Sequence, residues 1–236
     1  YVLRNDNSST RLYKYNQGGW SPCSNALSGI TSPIQLEKYN GKFYVAGRGT
    51  NGLGLYRLDG ASWTHVHTIR QSFNEFDMVS AGDGLYLVHN DISGGKDSPS
   101  RQLFVYKYSP GSGMVSLGSQ VNGGEEVNGP SIAAENGKVA VMYQTSGNRL
   151  RVKNYDAGTK TWKETGNLSA ITGSGKIKIR NGTLYLLRNG GPNASEMYIY
   201  DLTRSESAWK KVGDNSWSGK QPGYMELCFH GDAPHI

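Results

Sequence analysis

Five short stretches of the chain carry side chains suited to recognising a polar ligand. Each follows a run of apolar residues: Arg4-Asn5-Asp6, Arg48, His89-Asn90, Gln144 and Arg188-Asn189. Guanidinium groups bind carboxylate or sulfate through charge-assisted hydrogen bonds, and amide and imidazole groups orient a ligand through further hydrogen bonds. The residue types therefore predict a binding site, and a set of solvated strand ends is the alternative.

Two aromatic residues near the C-terminus, Trp217 and Tyr224, lie outside the pattern that the other tryptophans follow. An aromatic ring in a loop supplies apolar area, while nearby polar groups fix the orientation of a ligand. We therefore predict that Trp217 and Tyr224 form a stacking platform for a sugar ring. A packing role in the loop is the alternative.

Catalytic chemistry has less support in the sequence. Glu37, Asp77 and Glu226 are expected near the centre of the fold, and glycosidases use paired carboxylates at a defined separation. No second motif accompanies them, and no nucleophile-elbow motif surrounds a serine. We expect a binding protein rather than an enzyme, and a catalytic role for these three carboxylates is left open.

Metal and cofactor chemistry is not indicated either. Asn90, Asp91 and Asp97 offer oxygen atoms to a calcium ion, which takes roughly 6–8 oxygen ligands, but they lack the spacing of an EF-hand loop. Cys23 and Cys228 do not have the spacing of a metal-binding motif. We therefore expect no cofactor.

The composition places these residues on an all-β framework. The chain has 236 residues with 32 Gly and 15 Tyr, which favours many tight turns and half-buried strands. The net charge is +6, but the basic residues are scattered, so we expect no nucleic-acid partner. No stretch approaches the roughly 18 apolar residues of a membrane-spanning helix. Because Tyr1 begins within a strand pattern, we expect a mature or excised domain without a signal peptide. We also expect a monomer.

A four-strand pattern recurs along the chain. In each repeat a short strand precedes a two-residue turn, then come an apolar strand, a polar connection, an aromatic strand and a bulky residue that begins the last strand. Asn-Gly and Asp-Gly pairs favour type I′ turns. The expected turns are Asn40-Gly41, Asp83-Gly84, Asn136-Gly137 and Asn181-Gly182.

Repeats of this kind predict a β-propeller with four antiparallel strands in each blade. Tyr1-Val2-Leu3-Arg4 matches the second strand of a repeat, and its missing first strand lies at Met225–Phe229. The interpretation is therefore one five-bladed domain over residues 1–236, whose termini share the closing blade. The expected blades are 225–236 with 1–27, 34–69, 77–121, 131–168 and 175–215. Open sheets or a jelly roll are the alternative.

This architecture brings the candidate binding residues to one face. The connections between strands 2 and 3, such as Arg48–Gly54, share that face with those that join consecutive blades, such as Ser28–Pro33. We expect both kinds of connection to be long and to bind the ligand. Trp20, Trp63, Trp162 and Trp209 recur at one blade position, with Met114 in the third blade, and are expected in the core.

A resemblance to known repeats narrows the class of propeller protein. The phrases Gly41-Lys42-Phe43-Tyr44-Val45-Ala46 and Leu55–Trp63 resemble the tandem propeller repeat of bacterial cell-surface proteins, roughly G-x-x-Y-V-A-Y followed by V-x-K-Y-x-G-x-x-W. More distantly, the chain resembles five-bladed propeller lectins of the tachylectin type, whose repeat motif it lacks. The resemblance implies the fold strongly and the function weakly.

Three functions remain open on this basis. The first is a secreted or surface-displayed domain that binds a glycan or glycoprotein, and five similar inter-blade sites would make it multivalent. The second is a protein-interaction or adhesion scaffold, which unequal connections would favour. The third is a glycoside hydrolase, which would need a carboxylate pair near the axis.

Overall fold

The computed structural model describes residues 1–6, 9–92, 102–166, 168, 171–189, 195–204, 207–217 and 226–235. For Asp6 and residues 214–217 it describes the backbone alone. The chain divides into two compact units, Tyr1–Phe73 and Asn74–Ile236. The described residues contain strands and turns but no helix, which agrees with the predicted all-β class. Accordingly, none of them belongs to a helix able to span a membrane.

Unit 1 contains two antiparallel sheets. In sheet I, β1 pairs with β2, and both β3 and β4 pair with the other edge of β2, so the sheet has three strand positions. Sheet II has four strands in sequential order. The strands are β1 (Val2–Asp6), β2 (Ser9–Asn16), β3 (Gly19–Pro22), β4 (Leu27–Ser28), β5 (Ile30–Tyr39), β6 (Lys42–Gly49), β7 (Gly52–Asp59) and β8 (Ser62–Ile69).

Unit 2 contains three four-stranded sheets, III to V, each again in sequential antiparallel order, and a C-terminal hairpin. Sheet III begins at the unit boundary. The strands are β9 (Phe73–Ala81), β10 (Gly84–Asp91), β11 (Gln102–Ser109), β12 (Gly113–Ser116), β13 (Val127–Glu135), β14 (Lys138–Thr145), β15 (Leu150–Asp156), β16 (Thr161–Glu164), β17 (Ser174–Arg180), β18 (Thr183–Asn189), β19 (Ser195–Asp201), β20 (Lys210–Trp217), β21 (Cys228–His230) and β22 (Ala233–His235).

Three of the four predicted turns have the expected geometry. In the pairs that begin at Asn40, Asn136 and Asn181, the asparagine has a φ of 48°, 50° and 50°, and the following glycine 74°, 77° and 75°. Two successive residues of positive φ are what a type I′ turn requires. These turns join the first two strands of sheets II, IV and V.

The fourth predicted turn, Asp83-Gly84, is wrong by one residue. The turn consists of Gly82 and Asp83, and Gly84 already begins β10. Gly84 is needed for close packing, because a Cβ there would lie 2.9 Å from the Tyr108 carbonyl oxygen. Asp83 acts through its carboxylate, which accepts hydrogen bonds from the Tyr86 hydroxyl at 2.9 Å and from Lys107 Nζ at 2.7 Å.

Some of the connections expected to be long are short, because strand pairing continues into them. Only Thr50 and Asn51 separate β6 from β7, and Gly29 alone separates β4 from β5. Near their starts, β5 and β13 each contain a register shift, between Thr31 and Ile34 and between Asn128 and Ser131. Each shift contains a proline, which cannot donate to a ladder and is tolerated in bulges.

The core lies between successive sheets of each unit. In unit 1, Leu27, Ile30 and Val45 are buried together, with Trp63 packed against them. In unit 2, one buried cluster joins sheets III and IV and a second joins sheets IV and V. Sheets that stack in this way bury both faces, which a lone four-stranded sheet cannot do.

In three sheets a tryptophan on or next to the last strand donates its indole N–H to a backbone carbonyl in a connection of the preceding sheet, after β3, β12 or β16. Trp63 donates to Asn25 O at 3.1 Å, Trp162 to Leu117 O at 3.0 Å and Trp209 to Thr165 O at 2.7 Å. The core role expected for these three residues therefore includes a directional hydrogen bond as well as packing.

Trp20 departs from this pattern, and the prediction that it is a core residue is wrong. Its side chain is 53% exposed and contacts Tyr15 edge-on, with ring centroids 5.4 Å apart. Sheet I is the first sheet of unit 1, so this unit has no preceding sheet to accept its indole N–H. Met114, at the corresponding place in sheet III, is partly buried.

The C-terminal hairpin packs on sheet V. Leu227 is fully buried with Leu187 and Met197. The hairpin is also held by ion pairs from β17: Arg180 Nε lies 3.1 Å from Asp232 Oδ1, and Lys178 Nζ 3.8 Å from Glu226 Oε1. That the hairpin completes sheet I as a shared closing blade remains a prediction.

Candidate functional site

Side-chain alternation decides which polar residues at the strand ends face the preceding sheet. In β14, Tyr143 shares a side with Val139 and Val141, which pack on sheet III. In β18, Arg188 shares a side with Leu184 and Leu186, which pack on sheet IV.

Each of these two residues lies seven positions after the asparagine of its turn, so Tyr143, rather than Gln144, is the counterpart of Arg188. Gln144 points the other way and donates to Asn148 Oδ1 at 3.1 Å.

A polar cluster lies at the junction of sheets III and IV. It consists of Tyr143, Arg151, Glu164 and Glu125 and is called cluster 1 below. Arg151 lies across from Tyr143 in the strand register, and its guanidinium binds two carboxylates. One nitrogen is 3.3 Å from Glu164 of β16, and the other is 3.0 Å from Glu125 in the β12–β13 connection.

Tyr143 is the buried member of cluster 1. Its side chain is fully buried, and its hydroxyl has no hydrogen-bond partner among the described residues. Burial raises the pKa of this phenol, and the nearby Glu164 and Glu125 carboxylates add to the effect. A buried hydroxyl without a partner is unfavourable by about 1–3 kcal/mol, and this oxygen is closed to solvent in the structure.

The same positions at the junction of sheets IV and V form a second cluster with different charges. Cluster 2 consists of Arg188, Glu196, Lys211 and the Thr172 carbonyl. Arg188 lies 2.8 Å from Glu196 and donates to Thr172 O at 3.1 Å. Lys211 Nζ lies 2.8 Å from the other oxygen of Glu196.

Glu196 is the most heavily bonded carboxylate of the two clusters. Besides its two cationic partners it accepts the Tyr198 hydroxyl at 2.8 Å. Hydrogen bonding from Lys211, with the Tyr198 hydroxyl and the Arg188 charge, lowers the pKa of Glu196, although partial burial opposes the shift. Glu196 is therefore ionised at neutral pH.

Among the predicted site residues of unit 1, Arg48 has the clearest contacts. Its guanidinium donates to Phe73 O at 2.8 Å and lies over the Phe73 ring, 5.0 Å from the centroid. Arg4 is exposed and lies across from Arg11. Asn5 accepts the Thr10 hydroxyl at 3.4 Å. Asp6 ends β1, and its side chain lies outside the description.

His89 and Asn90 are fully buried rather than solvated at a strand end. The His89 ring stacks on Tyr106 at 5.7 Å, and burial lowers its pKa. Asn90 Oδ1 accepts the backbone N–H groups of Asn74 and Glu75 at 3.0 and 2.9 Å, which fixes the start of β9. Both residues therefore have a structural role in the interior, at the end of β10.

The structure describes the remaining predicted site residues only in part. Asn189 ends β18, and its side-chain oxygen has no partner among the described residues. Trp217 ends β20 with its backbone paired to Ser195, so it belongs to a strand and not, as expected, to a loop. Its side chain and the whole of Tyr224 and Asp97 lie outside the described residues.

The carboxylates considered for catalysis have structural partners. Asp77 Oδ2 accepts the Ile132 backbone N–H at 3.0 Å, and its other oxygen lies 3.5 Å from Lys176 Nζ. Glu226 pairs with Lys178, and Glu37 is half-buried in β5. Over the part of the chain that is described, no group of three metal-ligating side chains occurs. Cys23 and Cys228 are free thiols.

Sequence inspection missed most of the two clusters. Arg151, Glu164, Glu196 and Lys211 were not singled out, because they lie within strands. A usable signal was present, since Glu164 and Lys211 each follow a recurring tryptophan by two residues. Tyr143 was passed over in favour of its neighbour Gln144.

Comparison with solved structures finds a common architecture. The fucose-specific lectin of Aleuria aurantia is 14% identical, covers 88% of this chain and 72% of its own, and superposes with a TM-score of 0.59. A mutant of that lectin in complex with α-methyl-L-fucoside is 16% identical, with a TM-score of 0.59 over 88% and 71% of the two chains. The protein YjhT is 16% identical, with a TM-score of 0.55 over 81% and 67%.

The fold is that of a β-propeller. At these identities the likeness concerns architecture alone. No family model matches the sequence, and no curated protein sequence matches it significantly. The predicted propeller class is thereby confirmed, while membership in the tandem-repeat surface family or the tachylectin type stays a prediction.

Proposed function

We propose that this chain is a carbohydrate-recognition propeller that binds saccharides at the junctions between sheets, with cluster 1 as its principal site. One observation carries the proposal. Two successive junctions each hold a guanidinium paired with a carboxylate, in one case beside a buried tyrosine hydroxyl that lacks a described partner.

The chemistry of cluster 1 suits a sugar. Adjacent hydroxyls of a pyranose both donate and accept hydrogen bonds, a carboxylate accepts from them, and a guanidinium donates to them. Arg151, Glu125 and Glu164 are each about two-fifths exposed, so they can be reached from solvent. The two glutamates hold Arg151 in place, which reduces the entropy lost when a ligand binds.

The presence of a lectin among the structural neighbours supports this assignment to saccharide binding. Two of them are complexes of one mutant of the Aleuria aurantia lectin, with fucose α1-6-linked to GlcNAc and with α-methyl-L-fucoside. We accordingly choose L-fucose as the first probe. Display at a cell surface or secretion remains part of the proposal, because glycan partners of such a domain are extracellular.

The number of sites is expected to be smaller than the number of sheets. In sheet II the equivalent positions are Gly47 and Gly54, which face each other in the register and carry no side chain. Ile30 and Ile34 crowd Gly47, and the Tyr56 ring covers Gly54. This junction therefore lacks a cluster, and binding is less multivalent than five equal repeats would give.

A glycan array followed by isothermal titration with L-fucose tests the proposal. Arg151→Gln should weaken binding by roughly ten- to a hundredfold, because a charge-assisted hydrogen bond is lost. Arg57→Gln is the matched control, since Arg57 forms a similar ion pair with Asp59 on sheet II, outside both clusters.

Three results would contradict the proposal. One is an array on which no glycan binds, which would favour the protein-interaction scaffold. Another is binding that Arg151→Gln and Arg57→Gln weaken equally. The third is hydrolysis of a bound glycan, which would favour the glycoside hydrolase.

A further inference from the structure

The two clusters occupy the same positions in successive sheets but carry opposite charges. Arg151 of β15 corresponds to Glu196 of β19, since each lies across the strand register from its partner in the preceding strand, Tyr143 and Arg188. Glu164 of β16 corresponds to Lys211 of β20, two residues beyond a recurring tryptophan.

The exchange changes the local charge. Cluster 1 has one cation, Arg151, between the two carboxylates of Glu125 and Glu164. Cluster 2 has two cations, Arg188 and Lys211, around the single carboxylate of Glu196. Cluster 1 is therefore net negative by one charge and cluster 2 net positive by one.

Neighbouring charges leave this difference in place. At cluster 1 the β12–β13 connection adds Glu126 next to Glu125. Lys153 of β15 lies across from Glu164 in the strand register and donates to Val121 O at 2.8 Å, so its charge offsets that of Glu126. At cluster 2 the β16–β17 connection pairs through Thr172 with Arg149, an exposed cation. The β16–β17 connection itself has no charged residue in its sequence, so the added cation at cluster 2 comes from Arg149 alone.

Cluster 2 also retains hydrogen-bonding capacity. The single carboxylate, Glu196, already has partners on both oxygens, whereas Lys211 is 37% exposed and has three N–H donors. Because both oxygens of Glu196 have partners, cluster 2 leaves no unpaired carboxylate to repel an approaching anionic group.

We propose that cluster 2 is selective for acidic saccharides, which carry a carboxylate, whereas cluster 1 takes neutral ones. This inference rests on the proposed saccharide binding and specifies the ligand class of one site. A negative ligand gains attraction from Lys211 and Arg188 at cluster 2 and meets net repulsion at cluster 1. The charge exchange thus gives one propeller two different binding sites.

The test uses sugars that differ only in the carboxylate: glucose with glucuronate, and galactose with galacturonate, together with N-acetylneuraminate and L-fucose. The indole N–H resonances of Trp209 and Trp162 report on cluster 2 and cluster 1 separately in NMR titrations. Acidic sugars should shift the Trp209 resonance and bind more tightly than their neutral counterparts. Raising NaCl from about 50 to about 500 mM should weaken the acidic sugars alone.

Two matched variants test whether Lys211 causes the preference for acidic sugars. Lys211→Gln should lower the affinity for acidic sugars roughly three- to tenfold and leave neutral ones unchanged, since one near charge is removed. Lys210→Gln removes the same charge from the adjacent, exposed position and should have a smaller effect. Glu196 keeps Arg188 and Tyr198 as partners in Lys211→Gln, so this variant should fold, which a thermal melt checks.

The outcomes separate this inference from the proposed function. If neutral sugars bind and shift Trp162 but acidic sugars show no preference for cluster 2, saccharide binding stands and the inference is wrong. Equal effects of Lys211→Gln and Lys210→Gln also overturn the inference. If no sugar perturbs either resonance, both proposals are wrong.

Discussion

At the scale of single residues, the two clusters show how a side chain's role depends on its cross-strand partner. Arg188 was expected to offer its guanidinium to a ligand, but Glu196 and the Thr172 carbonyl already bind it. Its contribution is therefore to a pre-formed charge network, and the more exposed Lys211 is left to meet the ligand.

The pH dependence of stability follows from Glu196. Its pKa is lowered in the folded protein, so the unfolded chain takes up the proton first as the pH falls. The stabilisation that Glu196 provides is fully present above its ordinary pKa of about 4.5 and is lost as the pH falls through the folded-state value.

Urea unfolding at pH 7, 4.5 and 3 measures this effect. The wild type should lose more free energy of unfolding across this range than Glu196→Gln does, because the variant has no carboxyl group to protonate at this position. Parallel losses in the two proteins would mean that Glu196 is not a source of the acid sensitivity.

At the scale of the element, a glycine directly follows the hydrogen-bond acceptor of Trp162 and of Trp209, whereas Ala26 follows that of Trp63. Gly118 follows Leu117, whose carbonyl accepts from Trp162, and Gly166 follows Thr165, whose carbonyl accepts from Trp209. Both glycines have positive φ, 71° and 63°. A Cβ on Gly166 would lie 2.9 Å from the Trp209 ring. Backbone geometry and ring packing thus require glycine at the same place.

A pair of alanine substitutions separates these two requirements. Gly123 has a φ of 62° and no atom within 4 Å of an added Cβ, so Gly123→Ala should cost about 1 kcal/mol for the backbone alone. At Gly118 the Cβ would lie 2.7 Å from the Lys160 carbonyl oxygen, so Gly118→Ala should cost about 1–3 kcal/mol more. Urea denaturation measures both, and equal costs would mean that packing here adjusts freely.

At the scale of the whole molecule, the C-terminal hairpin contributes a fully buried residue to the core. Leu227 packs on Leu187 and Met197, and ion pairs from β17 hold Glu226 and Asp232. If the hairpin also supplies the first strand of sheet I, as the sequence predicts, its loss opens the ring as well as the sheet V core.

Deleting residues 225–236 should therefore abolish cooperative unfolding. Leu227→Ala is the control for the core contact alone and should cost about 2–5 kcal/mol while the transition remains cooperative. Circular dichroism during thermal melting distinguishes the two. A truncated protein that melts cooperatively near the intact one would refute closure by a shared blade.

The sequence by itself determined the features that depend on neighbouring residues. Asn40-Gly41, Asn136-Gly137 and Asn181-Gly182 adopt the turn that their φ preferences favour, and the strands on either side follow from the apolar pattern. Local conformational preference is a property of a few residues, so a repeated motif predicts a repeated four-stranded sheet.

The tertiary structure alone decided which side of each strand a residue occupies and which groups it meets. A shift of one residue moves a side chain to the opposite face, so Gln144 was chosen where Tyr143 faces sheet III. The turn between β9 and β10 of sheet III was likewise placed one residue late. The pairing of Arg151 with Glu125 and Glu164 brings together residues 13 to 26 positions apart. Such contacts depend on how sheets stack, and no local preference encodes them.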